Sequence, residues 1–143
     1  MMAGSVTAET AEEVVAWYKG YAKLWSVADV NLDTVEPYYA IPLYYALPNG
    51  LAVSATKEAW RSANAAYIAT RKQKGITRAE LQKVNVTALN PGAAIIEAEW
   101  IDYGSDGSRI GDCTAWTYLA AKTTEGWKHL SLIPSACKPA SKP

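Results

Sequence analysis

Glu97 and Glu99, spaced two apart and followed by Trp100, and the lone His129 are the residues of this 143-residue chain best suited to moving a proton. A carboxyl set beside tryptophan loses water, and its pKa climbs towards a value useful for proton transfer. Imidazole titrates near neutrality without help. A Glu and a His reaching one ligand could carry a proton from one of its carbons or oxygens to another. Tyr18 or Tyr118 would then donate a hydrogen bond to the developing oxyanion. Tyr44, Trp60, Trp116 and Ser131 are the candidate ligand contacts, the rings to stack and the polar tips to orient. Against this stands a plainer reading, in which Glu on a strand faces water, a lone His near a turn lies at the surface, and rings at helical spacing fill a core.

The supply of rings is itself a signal. The chain has six Trp and nine Tyr but no Phe. Trp and Tyr pair a large apolar body with a polar tip, so they can line a binding pocket as well as pack. Their positions follow helical and strand periods. Val14, Trp17, Tyr18, Tyr21, Leu24 and Trp25 recur at offsets of three and four, giving one aromatic helix face, and Thr10-Ala-Glu-Glu13 has the form of a capping box for its start. Asn31-Leu-Asp33 opens a short second helix reaching Tyr39, with Pro37 in its first turns. Ile41–Leu47, Pro48-Asn49-Gly50 and Leu51–Val53 read as a hairpin. Ser54 or Thr56 caps a third helix, with Trp60, Ala63 and Tyr67 on one face and Gly75 at its stop.

From Thr77 the period changes to alternation. Asn90-Pro-Gly92, Gly104-Ser-Asp-Gly107 and Thr124-Glu-Gly126 divide the remainder into four strands of a meander, over 77–89, 93–103, 109–122 and 126–134. If Ser105 pairs with Ser108 and Thr123 with Gly126, one face carries Glu97, Glu99, Trp116, Tyr118, Trp127, His129 and Ser131. The other carries Ala98, Trp100, Cys113, Ala115 and Leu132. A slip of one residue in either turn exchanges strands between the faces.

Fourteen basic residues balance fourteen acidic ones, so no field draws in nucleic acid. The first ten residues lack a secretory pattern, and no apolar run approaches the roughly 20 residues that span a bilayer, so no membrane partner is expected and a cytoplasmic location is the default. Two cysteines and one histidine are too few for a zinc site, and no metal is expected. Cys113 and Cys137 come near each other if the last strands pair, yet reduced thiols are the expectation for a cytosol. Asn85-Val-Thr87 matches a glycosylation sequon but lies in a strand and is read as inert.

The order of these elements, with Asn31-Leu-Asp-Thr-Val-Glu-Pro-Tyr-Tyr39, Leu47-Pro-Asn-Gly50, Asp106-Gly107 and Thr124-Glu-Gly-Trp127, resembles the nuclear transport factor 2-like superfamily and its SnoaL-like branch over residues 8–134. The resemblance implies an α+β fold, three N-terminal helices packed in a strongly curved mixed or antiparallel sheet, shaped as a cone or cystatin-like roll, with a flexible tail over 135–143. It implies a homodimer formed through the outer sheet face and a small hydrophobic or polycyclic ligand, handled without a cofactor. Family members include ketosteroid isomerases, cyclases and dehydratases, and also non-catalytic binding or dimerisation modules, so both classes stay open. Where ketosteroid isomerases keep a helix tyrosine, a hairpin base and a strand acid, this chain has Tyr18, the carboxylate-free Tyr44-Tyr-Ala-Leu-Pro48, and Tyr118. Asp102, Arg109 and Asp112 supply the residue types of limonene epoxide hydrolases, but they cluster at one hairpin turn and read as a solvated strand end.

Overall fold

The computed structural model describes residues 2–138. Helix α1 spans Met2–Trp25, α2 is Leu32–Val35 continued by a 3-10 turn at Glu36–Tyr38, and α3 spans Lys57–Gln73. The strands are β1 (Tyr39–Leu47), β2 (Gly50–Ser54), β3 (Ile76–Asn90), β4 (Ala93–Gly104), β5 (Arg109–Thr123) and β6 (Gly126–Ala136). They form one sheet in the order β2-β1-β6-β5-β4-β3, with β1 parallel to β6 and every other pair antiparallel. This is the expected α+β architecture, with α1 laid into the inner face of the sheet.

Local chemistry explains the boundaries. The Asn31 carboxamide oxygen accepts from the Asp33 amide at 2.9 Å, and the Thr56 hydroxyl accepts from the Ala59 amide at 3.1 Å, so each caps its helix. Gly75, at φ +78°, reverses the chain after α3, a conformation that costs glycine little. The capping box expected at Thr10 is not a start, because α1 begins at Met2 and Thr10 is buried within it. Proline at 37 does not extend α2, which instead tightens into the 3-10 turn, and Tyr39 opens β1.

The inner layer is largely aromatic. Tyr18, Tyr21 and Trp25 from α1 pack with Tyr39, Trp60, Trp100, Tyr118 and Trp127, all buried. Each ring fully removed from water is worth up to about 3 kcal/mol, so these contacts hold α1 in the curve of the sheet.

Two departures from the expected register fix which side chains look inward. The β4–β5 turn is one residue off the Ser105–Ser108 count, which exchanges the faces, and β6 carries a one-residue bulge. The wider bulge in β5 adds two residues and leaves the faces as the turn set them. Tyr103 pairs with Arg109 and Asp102 with Ile110, but Trp100 pairs with Thr114, so Gly111, Asp112 and Cys113 stand opposite the single residue Ile101. Gly111, at φ +75°, makes the kink. From there Ile96 opposes Tyr118 and Ala98 opposes Trp116, while Glu97 opposes Thr117 and Glu99 opposes Ala115. Directly opposed residues share a face, so both glutamates lie on the outer side and Trp100 on the inner. In β6, Ala120 pairs with His129 but Leu119 with Ser131, leaving Leu130 extra, so Ser131 points outward and Leu132 inward.

Cys113 and Cys137 form a disulfide, with Cα atoms 6.0 Å apart, which corrects the expectation of free thiols. Thr114 opposes Ala136, so the next position along brings the two cysteines face to face at a separation a disulfide can bridge. The expectation followed from compartment; strand geometry decides. β6 also runs to Ala136, two residues beyond the expected strand end, and the tail read over 135–143 falls outside the described residues from 139 on.

Candidate functional site

The cone has a closed end and an open one. At the closed end His129 is fully buried, and neither ring nitrogen has a hydrogen-bond partner among the described residues. Tyr118 stacks on it at 4.3 Å between centroids, with Trp17 at 4.7 Å, Tyr21 at 4.9 Å, Tyr39 at 5.1 Å and Tyr18 at 5.8 Å. Burial with nothing to receive a charge holds its pKa down at about 3, so the imidazole is neutral at physiological pH. It cannot be the titrating acid–base group that its type suggested. Burial raises the phenols of Tyr18, Tyr39 and Tyr118 well above 10 and that of Tyr21 to about 12, so all four stay protonated. Their hydroxyls are spent within the cluster: Tyr21 and Tyr39 hydrogen-bond each other, and the Trp100 indole N–H donates to Tyr18 Oη at 3.2 Å.

Next to this cluster lies a cavity of about 180 Å³. Eight of its fifteen lining residues are aromatic: Tyr21, Trp25, Tyr39, Tyr45, Tyr67, Trp100, Trp116 and Tyr118. Its polar groups beyond the phenols and indoles are Asn64 on α3, Thr114 on β5 and Asp102 on β4. Asp102 faces inward because plain alternation along β4 puts it on the even-numbered face with Ala98 and Trp100. Burial raises its pKa above the ordinary 3.8, and Arg71 and Lys74 offset part of that rise. Among the described residues its carboxylate takes part in no hydrogen bond and no ion pair, and the Asn64 amide is held by its donation to the Trp60 carbonyl at 2.9 Å.

Arg71, also buried, stands near this end without lining the cavity. Its Nη2 donates to the Trp25 carbonyl at 3.1 Å, and its guanidinium lies 5.5 Å from the centre of the Trp25 ring. Its Nε and Nη1 have no hydrogen-bond partner among the described residues.

The residues singled out from sequence are thus divided. Tyr118 and Trp116 line the cavity, while Tyr18 lies in the closed cluster behind it. Trp60 is wholly buried against Tyr39, at 5.3 Å between ring centres, and is core. Tyr44 pairs with Ser131 on the outer face and is 45% exposed. Glu97 and Glu99 also lie on the outer side. There Lys138 donates through Nζ to Glu97 and through its backbone N–H to Glu99, each at 3.3 Å. Glu99 comes within 4.8 Å of both cysteine sulfurs, but the disulfide occupies those sulfurs and leaves no thiolate to bind a metal. No proton relay can join Glu97 or Glu99 to His129 through the sheet between them. The residue that sequence reasoning set aside, Asp102, is the acidic group facing the cavity. Its available signal was alternation along β4, which puts Asp102 on the same face as Trp100.

A family model described as NTF2-like protein (DUF6841) matches residues 11–137. Among solved structures, an NTF2-like protein with a cystatin-like fold from Novosphingobium aromaticivorans superposes with a TM-score of 0.65 at 17% identity, covering 94% of this chain and 86% of that one. An NTF2-like protein of unknown function from Shewanella oneidensis gives 0.64 at 16% identity, with 86% and 96% covered. The association domain of Caenorhabditis elegans CaMKII gives 0.65 at 12% identity, with 91% and 98% covered. At these identities the likeness concerns the fold alone. No curated protein matches the chain.

Proposed function

The chain belongs to the NTF2-like family DUF6841, and from that premise we propose that its cone is a binding chamber for a small, mostly apolar molecule of about one ring. The carrying observation is the cavity of about 180 Å³ walled by eight aromatic residues. An apolar cavity of roughly 150 Å³ accommodates benzene, so this one suits a single ring with a short substituent rather than a polycycle. Asn64, Thr114 and Asp102 give such a ligand polar groups to be oriented by. The test is a titration of intrinsic tryptophan fluorescence with benzyl alcohol, because Trp25, Trp100 and Trp116 all line the cavity. Saturable quenching at one molecule per chain is expected, weakened about tenfold by Trp116→Ala, which is about 1.4 kcal/mol. No saturable change would remove the reading.

A second reading, proton-transfer catalysis, is favoured by one observation, the raised pKa of the cavity-facing Asp102. On that reading Asp102→Asn abolishes turnover of a substrate, and Glu97→Gln and Glu99→Gln leave it intact. Self-association belongs to the same proposal. Tyr44, Val53 and Ile133 are exposed on β1, β2 and β6, and one structural neighbour is itself an association domain. Light scattering at micromolar concentration should give the mass of a dimer.

A further inference from the structure

The charge of the cavity narrows the ligand further, and this step rests on the ring-binding reading above. Among the described residues, Asp102 is the only acidic or basic side chain lining the cavity. A half-buried carboxylate without a hydrogen-bond donor is costly, and a ligand that supplies the missing donor and charge recovers that cost. Trp25, Tyr67, Trp100 and Trp116 stand around the same space, and ring faces attract cations. The fold already uses this attraction, since the Arg71 guanidinium lies over Trp25. Arg71 itself does not line the cavity and is held by the Trp25 carbonyl, so a ligand in the cavity meets Asp102 directly and Arg71 only as a background field. Lys74, the other cation acting on Asp102, is exposed and screened by water.

We propose that the ligand is an organic ammonium, a ring-sized apolar body bearing a protonated amine that pairs with the Asp102 carboxylate inside the aromatic walls. Arg71 sets the competing possibility, because a ligand governed by its field would be an anion.

The experiment titrates the full chain at pH 7 with three probes of one shape: benzylamine as the cation, benzyl alcohol as the neutral form and benzoate as the anion. Benzylamine should bind about tenfold more tightly than benzyl alcohol, and benzoate most weakly. Asp102→Asn should collapse the ratio of benzylamine to benzyl alcohol affinity towards one. Equal binding of the two, tightest binding by benzoate, or an unchanged ratio in Asp102→Asn would overturn the proposal. If benzyl alcohol binds and benzylamine has no advantage, ring binding survives and the ammonium preference fails. If none of the three binds, both fail. The wild-type comparison needs no variant, so an Asp102→Asn protein that does not fold leaves the proposal testable.

Discussion

His129 and Asp102 are both ionisable groups on the inner face of one sheet, surrounded by Trp and Tyr, yet the cone treats them in opposite ways. At His129 the rings close completely, the nearest centred 4.3 Å away, and leave it no hydrogen-bond partner among the described residues, so the imidazole is held neutral and serves as packing. At Asp102 the rings stand apart around a cavity, and burial raises the pKa without sealing the carboxyl from a ligand. Perturbed titration therefore does not by itself mark a functional group. What separates the two sites is room beside the perturbed atom.

Substitutions can break or sharpen that contrast. The largest effect is expected at the closed end, where Tyr18→Ala empties a fully buried ring site and should cost about 3–5 kcal/mol in chemical denaturation. Next comes acid titration of stability. The folded pKa of His129 lies near 3, below its ordinary 6.5, so the unfolded chain binds more protons between these values. Its contribution is intact above pH 6.5 and drains as pH falls towards 3, by about 2 kcal/mol at pH 5. His129→Phe should remove that slope whatever its own stability at pH 7, and an unchanged slope would place the proton elsewhere. Trp116→Ala, at the open end, should cost less than about 1.5 kcal/mol of stability while weakening benzyl alcohol about tenfold. A large loss of stability would mean that the open end is core as well. Smallest of all, Glu97→Gln and Glu99→Gln on the outer face should each change stability by less than about 0.5 kcal/mol and leave cavity binding within twofold. A strong effect of either on binding would put a glutamate inside the cone.

Much of the fold was legible in the sequence because it rests on local rules. The spacing of Val14, Tyr18, Tyr21 and Trp25 dictates the buried face of α1, and the Thr56 cap and Gly75 stop bound α3. The candidate site was far less legible, because its membership depends on register across β4, β5 and β6. A Ser105–Ser108 count puts Glu97 beside Trp116, whereas the observed turn slips the register by one residue and the bulge opposite Ile101 adds two, which together bring Glu97 to Thr117. The Leu130 bulge carries no glycine or proline to betray it, so Ser131 and Leu132 exchange faces without a local signal. His129 was placed on the correct face but misjudged in depth. Its burial comes from α1 and β1, which sequence spacing does not bring to it.

The three residues opposite Ile101 act as slack in the ladder, two more than one-to-one pairing needs. The removal of one or two residues over 111–113 can be taken up there, with Trp100 still opposite Thr114 and Asp102 still opposite Ile110, so the inner face keeps both side chains. A relative with a short gap at this point would have the same outline and the same interior. A gap between such relatives therefore belongs within 111–113, where it leaves Thr114, Trp116 and Tyr118 opposite Trp100, Ala98 and Ile96.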